Sequence, residues 1–206
     1  KEAGFETNVN EHILHCDMSD ATYEVMHKLK RDKVVQGNSG VIVADTSVKL
    51  QNKIHQLCGG SVILEDGTIA IIDHSKGEFI RDKFKDKKIG IFYKYKGELT
   101  ILQNIFGDNL CTSLDEFNGS DKNIALQIVS GREGISLKEA DALVYYNIDF
   151  SAISYFQSKD RMTTMDRQAN DVYWVFARKG IEAKIYKSVI NKKDYTISMF
   201  RKDYEV

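Results

Sequence analysis

A glycine-bearing turn, Ser130-Gly131-Arg132-Glu133-Gly134, follows an apolar strand-like run that ends at Val129. Glycines at the carboxyl end of a parallel strand let backbone N–H groups approach a phosphate closely. Alone, a G-x-x-G turn is more often structural than ligand-binding, and its place after a strand is what makes it a candidate. Farther along, a helical segment carries Gln157 and Arg161, followed by Arg167. Lys94, Tyr95 and Lys96 close another strand-like run, where cations and an aromatic suit phosphate contact and base stacking. The alternative for that trio is an ordinary surface loop. His12, His15 and Cys16 lie close together but fall in the alternating segment NEHILHCDMS, which reads as a strand, so no metal site is expected. The loop G-x-x-x-x-G-K-[ST] is absent, and so is any D-E-x-[DH] run that could hold a magnesium ion after a strand.

The elements that must position these residues are written in the hydrophobic pattern. Glu11 to Asp17 alternates like a strand, and Ser19 is placed to cap a helix from Asp20 to about Asp32 with Tyr23, Met26 and Leu29 on one face. Gln36 to Gly40 reads as a loop. A second helix follows Thr46, with Val48, Leu50, Ile54 and Leu57 on its apolar side, and ends at Gly59-Gly60. SVILEDGTIAII (Ser61 to Ile72) carries two β-rich runs around Asp66-Gly67, a hairpin signal. From about Ser75 the pattern alternates: helix Lys76–Lys85, strand Lys88–Tyr95, helix Gly97–Ile105, a short strand at Leu110–Leu114, strand Ile124–Val129, strand Ala142–Tyr146, helix Ile153–Arg161, strand Val172–Ala177 and a helix from Ile181. The last three strands are nearly continuous apolar runs, as buried parallel strands are. The expectation is an α/β fold, a mainly parallel sheet with helices on both faces. Tyr145, Tyr146, Tyr173, Trp174 and Phe176 lie within these strands and are expected to pack in the core or on a sheet face.

With 206 residues, 42% apolar and 29% charged, the chain belongs among ordinary globular proteins. A net charge of −1 gives no global basic signal for nucleic acid but leaves room for a local basic groove. The three cysteines, Cys16, Cys58 and Cys111, form no C-x-x-C pair, which points to a reducing, cytoplasmic setting. No apolar run is long enough to span a membrane. There is no proline, so Gly, Asn, Asp and Ser must set the turns. The start at Lys1 rather than Met reads as that of an excised fragment.

Residues 128–167, IVSGREGISLKEADALVYYNIDFSAISYFQSKDRMTTMDR, resemble the second half of the motor core of superfamily-two helicases, most closely the Swi/Snf-like branch. Ser130 to Leu137 occupies the places of A-G-G-x-G-[LI]-N-L, with Arg132 for a usual glycine and Ser136 for the usual asparagine. Leu137, Ala140 and Asp141 fit N-L-x-x-A-D, and Asp149-Phe150-Ser151 resembles D-W-[NS]. Tyr155-Phe156-Gln157 resembles the Y-x-Q that opens the next motif. In its continuation, Q-x-x-G-R-x-x-R-x-G-Q, this chain has Gln157, Asp160, Arg161, Thr164, Asp166 and Arg167. Softer matches are IGIFYKYKGEL with the fourth motif, HSKGEFI with the preceding S-x-K-h-x-x-L helix, and GIEAKIYKSVINKKD with the closing T-[IV]-E-x-[KR]-I helix. HILHCDMSDATYEVMHKL resembles the connection into the second lobe. The short, lysine-rich, proline-free form is similar to phage or prophage helicases.

The resemblance implies a RecA-like C-terminal motor lobe over residues 73–206, preceded by a connecting segment of helices and hairpin over 1–72. It implies nucleotide contacts from Gly131, Glu133, Gly134, Gln157 and Arg161, and nucleic-acid contacts from Lys94, Tyr95, Lys96, Ser130 and Arg132. ATP and Mg2+ would be shared with an N-terminal lobe of the same polypeptide, which would bring the phosphate loop and hold the metal; without it this chain is expected to be inactive. The likeness points to DNA, duplex rather than single strand, as the track. Thr164 stands where the family places its arginine finger, a group worth roughly 10³ to 10⁵ in rate. Arg161, with Arg167 in reserve, is the expected catalytic cation; the alternative for Arg161 is a solvated, ion-paired helix residue. The rival readings are a degenerate RecA-like module that binds nucleic acid or protein without hydrolysis, and a small-molecule enzyme on a doubly wound sheet.

Overall fold

In the computed structural model, residues 9–128, 137–160 and 170–205 are described. Ten strands and eight α-helices follow one another among them: β1 (Val9–Cys16), α1 (Asp20–Asp32), β2 (Val34–Gly37), β3 (Gly40–Val43), α2 (Ser47–Cys58), β4 (Ser61–Ile63), β5 (Ile69–Ile71), α3 (Ser75–Lys83), β6 (Ile89–Tyr93), α4 (Lys96–Phe106), β7 (Leu110–Cys111), α5 (Leu114–Asn118), β8 (Asn123–Gln127), β9 (Ala142–Tyr145), α6 (Ala152–Asp160), β10 (Asn170–Ala177), α7 (Glu182–Val189) and α8 (Ile197–Tyr204). Six strands form one sheet in the order β1-β10-β9-β6-β8-β7. Every pairing in it is parallel. Two small antiparallel hairpins, β2–β3 and β4–β5, stand apart from it.

The apolar runs became the middle of this sheet. All of β9 is buried, and β6 is buried over its first three residues. Register stacks an aromatic ladder on one face: Phe92, Tyr145 and Trp174 are neighbours across β6, β9 and β10. Their ring centroids lie 5.0 and 3.9 Å apart. Tyr155 of α6 and Tyr186 of α7 close over Trp174 at 5.5 and 5.9 Å. Side chains alternate across a strand, so Tyr173 faces the other way, where it meets Phe84 just past α3 at 4.9 Å. Helices therefore cover both faces, and the tyrosines and tryptophan pack against the sheet as their spacing predicts.

Ser19 caps α1, its hydroxyl accepting the Thr22 N–H. Asp73 reinforces that end, accepting the Ser19 amide at 2.7 Å and the Thr22 hydroxyl at 2.6 Å, while its other oxygen takes the Ser75 amide that opens α3. Burial favours the protonated acid, but these donors prevail and hold the Asp73 carboxyl below its ordinary value.

Several sequence expectations need correction. Residues 36–40 are the tip of the β2–β3 hairpin, with Asn38-Ser39 as its turn, rather than a loop. Val48, placed on the apolar side of α2, is 52% exposed. Helices α5 and α8 have no counterpart in the sequence reading. Apart from these corrections, one edge strand of the sheet, β1, lies within the first 72 residues.

Candidate nucleic-acid and nucleotide interface

A sheet whose strands all run parallel delivers every carboxyl end to one edge, where ligands gather in open α/β folds. Here β6 hands over to Lys94 and Tyr95, β8 to Ile128, and β9 to Tyr146–Phe150. Glu98, fully buried in the first turn of α4, holds the bend after β6. One of its oxygens accepts the Lys94 and Tyr95 N–H groups at 2.8 and 3.1 Å, and the other accepts the Asn147 amide at the end of β9. Two glycines permit this closeness. A Cβ at Gly59 would lie 2.4 Å from the Glu98 carboxylate, and one at Gly97 would lie 2.4 Å from the Ser61 hydroxyl. The end of α2 and the β4–β5 hairpin are thereby pressed onto the loop that carries the candidate trio.

Lys96 is exposed at the start of α4. The Lys94 side chain is 18% exposed, and its ammonium lies 3.1 Å from Asp149, on the connection between β9 and α6. Tyr95 turns its hydroxyl inward to His55 Nδ1 at 2.8 Å, with the two rings edge to face. Fully buried His55 also packs against Phe150 at 4.5 Å. Burial, with the positive charges of Lys94 and Lys76, holds the imidazole pKa well below its ordinary value, so the ring stays neutral. Between the hairpin and this loop lies a cleft of about 400 Å³. Its walls are the apolar Ile63 and Ile69 on one side and Lys94, Lys96 and Gln127 on the other. An apolar wall facing cations and an amide suits a ligand with both an anionic and an apolar part.

Gln127 donates to the Lys94 carbonyl at 3.1 Å, and the Ile128 amide donates to Tyr93 at 2.8 Å. The chain thus reaches residue 128 directly beside the candidate trio, and returns at Leu137, which is buried beside Gly90. Ser130, Gly131, Arg132, Glu133 and Gly134 lie outside the described residues, as do Arg161, Thr164 and Arg167. Gln157 is exposed on α6, whose other side is anchored by the buried Tyr155, bonded to Glu11 at 2.7 Å. The structure therefore gathers Lys94, Tyr95 and Lys96 in one place and puts Gln157 on the helix that begins just after Asp149.

Sequence reasoning missed the groups beneath this edge. Lys76 on α3 and Glu182 on α7 form an ion pair with both side chains at 0% exposure. Lys76 also donates to the Tyr146 carbonyl at 3.0 Å, and Glu182 accepts the Ala177 amide at 2.6 Å. Burial disfavours the ammonium, but the carboxylate beside it prevails and its pKa is raised. The pair joins the carboxyl ends of β9 and β10. Its signal was a lysine in HSKGEFI and a glutamate in GIEAKIY, segments that resemble two separate family helices. Among the described residues, no group of three or more His, Cys, Asp or Glu side chains could hold a metal ion. Cys16, Cys58 and Cys111 are free and buried, and burial pushes the Cys16 and Cys58 thiols up to about 11 and about 12.

The sequence matches no family model and no curated protein. Solved structures do match. The C-terminal part of the Fun30 ATPase domain superposes with a TM-score of 0.70 at 12% identity, over 97% of this chain and 96% of that one. The Sulfolobus solfataricus SWI2/SNF2 ATPase core gives 0.60 at 16% identity over 89% of this chain. The same organism's core in complex with dsDNA gives 0.57 at 18% identity over 96%. This chain spans 43% and 48% of the lengths of those two cores. At such identities the likeness establishes the fold alone, one shared with the C-terminal parts of these ATPase domains.

Proposed function

We propose that this chain is the second RecA-like lobe of an ATP-dependent, Swi/Snf-like translocase that tracks on duplex DNA. The observation that carries the reading is the end-to-end correspondence between its all-parallel, six-stranded sheet and the C-terminal part of an ATPase domain. A similar ATPase core bound to dsDNA supports the choice of track. In this reading an N-terminal lobe of the same polypeptide supplies the phosphate loop and holds Mg2+, and ATP seated between the lobes supplies the phosphoryl group that is transferred to water. The present chain contributes Gly131, Glu133, Gly134, Gln157 and Arg161 to the nucleotide side. Arg161 places positive charge where negative charge develops, with Arg167 able to substitute. Ser130, Arg132, Lys94, Tyr95 and Lys96 contribute to the DNA side. Gln127 and Ile128 support that division, because they bring residue 128 to the side of Lys94.

The boundary between the connecting segment and the lobe is placed at residues 72/73, with β1 reaching back to complete the sheet. Three free cysteines support a reducing, cytoplasmic setting, and the short, proline-free, lysine-rich form supports a phage or prophage parent. No helix among the described residues is long and apolar enough to cross a membrane.

Thr164 favours a second reading, a degenerate lobe that binds without hydrolysis, because a hydroxyl cannot replace the charge of an arginine finger. Hydrolysis by the native parent polypeptide separates the two, and Arg161→Ala then tests the catalytic cation. Loss of DNA-stimulated hydrolysis with an unchanged fold, read by circular dichroism and ATP turnover, is the expected result. Unchanged turnover would remove Arg161 from the mechanism.

A further inference from the structure

Lys94 is held by its backbone and leashed by its side chain. Its N–H donates to Glu98 at 2.8 Å and its carbonyl accepts from Gln127 at 3.1 Å, so the main chain at the tip of β6 is tethered through both groups. The side chain lies beside the rings of Tyr95 and Phe150, with the ammonium 5.7 and 5.6 Å from their centroids. It lines the cleft against the β4–β5 hairpin, yet its ammonium is tied to Asp149 at 3.1 Å. Asp149 has a second duty. Its other oxygen accepts the Ser151 N–H at 3.2 Å, immediately before α6 begins at Ala152. The two side chains are 18% and 19% exposed, so water and ligand can still reach the pair.

We propose that Asp149 is an internal counter-ion that a backbone phosphate of the nucleic acid must displace from Lys94, and that this exchange reports nucleic-acid contact to α6. The inference rests on the reading of Lys94 and Lys96 as phosphate contacts. The magnitudes permit the exchange: a partly exposed ion pair is worth about fivefold or less in an equilibrium, which one phosphate contact with its counter-ion release can match. Asp149 opposes binding twice, by occupying the ammonium and by repelling the incoming anion. When Lys94 turns to phosphate, Asp149 keeps only the Ser151 amide, and the Phe150–Ala152 segment loses its tie to the tip of β6. Helix α6, which carries Gln157, starts at that segment, so the two faces of the lobe share one carboxylate. By linkage, a ligand whose affinity changes by some factor when Asp149 is released from Lys94 changes nucleic-acid affinity by that same factor.

The test is binding of a fluorescent duplex of about 20 base pairs at fixed salt, followed by anisotropy, with the native chain, Asp149→Asn, Lys94→Ala and the double variant. Asparagine keeps an acceptor for Ser151, and Asp149→Ser serves as a second neutral acceptor should Asp149→Asn melt early. The expected result is about three- to fivefold tighter binding by Asp149→Asn, the scale of a partly exposed pair. That gain should vanish in the Lys94→Ala background. Equal or weaker binding by both Asp149 variants overturns the proposal. So does a gain that persists in full without Lys94, which would be an effect of net charge alone. Native affinity retained by Lys94→Ala and Lys96→Ala is a different failure, that of the contact reading itself. Absence of binding by the native chain and every variant removes both.

Discussion

His55 sits under the tip of β6 with its ring shut between Tyr95 and Phe150, and its titration follows from that enclosure. Burial first, then the charges of Lys94 and Lys76, depress its pKa in the folded chain, whereas the unfolded chain presents an ordinary histidine near pH 6.5. Below that pH the unfolded state takes up a proton that the folded state refuses. The His55 contribution is therefore intact above about pH 6.5 and falls by up to about 1.4 kcal/mol per pH unit on acidification, until the folded pKa is reached. We expect His55→Gln, which carries no titrating group, to gain stability relative to the native chain at that slope as the pH drops. Denaturant melts from about pH 7.5 to about pH 5 check it, and parallel curves for the two proteins would contradict it. At this scale the sequence showed Lys94, Tyr95 and Lys96 because a strand end is a local signal. It could not show that Asp149 and His55 are their partners, 55 and 40 residues away from the atoms they bind. Such pairings exist only once the sheet has formed.

Among the elements, the tie between α3 and α7 under the strand ends is the feature most exposed to test. Lys76 and Glu182 are both sealed from solvent, and each also bonds the backbone at the end of a strand. Removing one partner of a buried pair strands a charge, so Lys76→Met is expected to cost about 3–5 kcal/mol, whereas neutralising both restores much of the loss. Equilibrium unfolding of Lys76→Met, Glu182→Gln and the double variant measures this; a double variant as unstable as the sum of the two singles would contradict a specific pair. Elements with a strong local period were legible: α1 and its Ser19 cap, the β4–β5 hairpin around Asp66-Gly67, and the apolar strands β8, β9 and β10. The β2–β3 hairpin was not, because QGNSG presents turn residues and its flanking strands are only four residues each. The exposure of Val48 was missed for a related reason: an apolar stripe marks the face of a helix, not the edge at which its cover ends.

At the scale of the molecule, fold class and likeness to a motor lobe were legible from the alternation of strands and helices and from residues 128–167. Strand order was not. The edge strand β1 pairs with β10 across more than three-quarters of the chain, Val9 opposite Asn170 and Cys16 opposite Ala177, and no local pattern encodes a contact of that range. The result is one parallel edge at which the ends of β6, β8 and β9 meet, with Lys94, Tyr95 and Lys96 gathered there and α6 starting beside them. That arrangement is what the proposed function draws on, in which one edge of this sheet would work against a second lobe and a nucleic-acid track. The most direct measurement of that claim is ATP hydrolysis by a polypeptide that carries this lobe together with the proposed N-terminal lobe, with and without duplex DNA. Turnover strongly stimulated by the duplex is the expected result. A folded parent that hydrolyses nothing under either condition would contradict it and leave the lobe as a binding module.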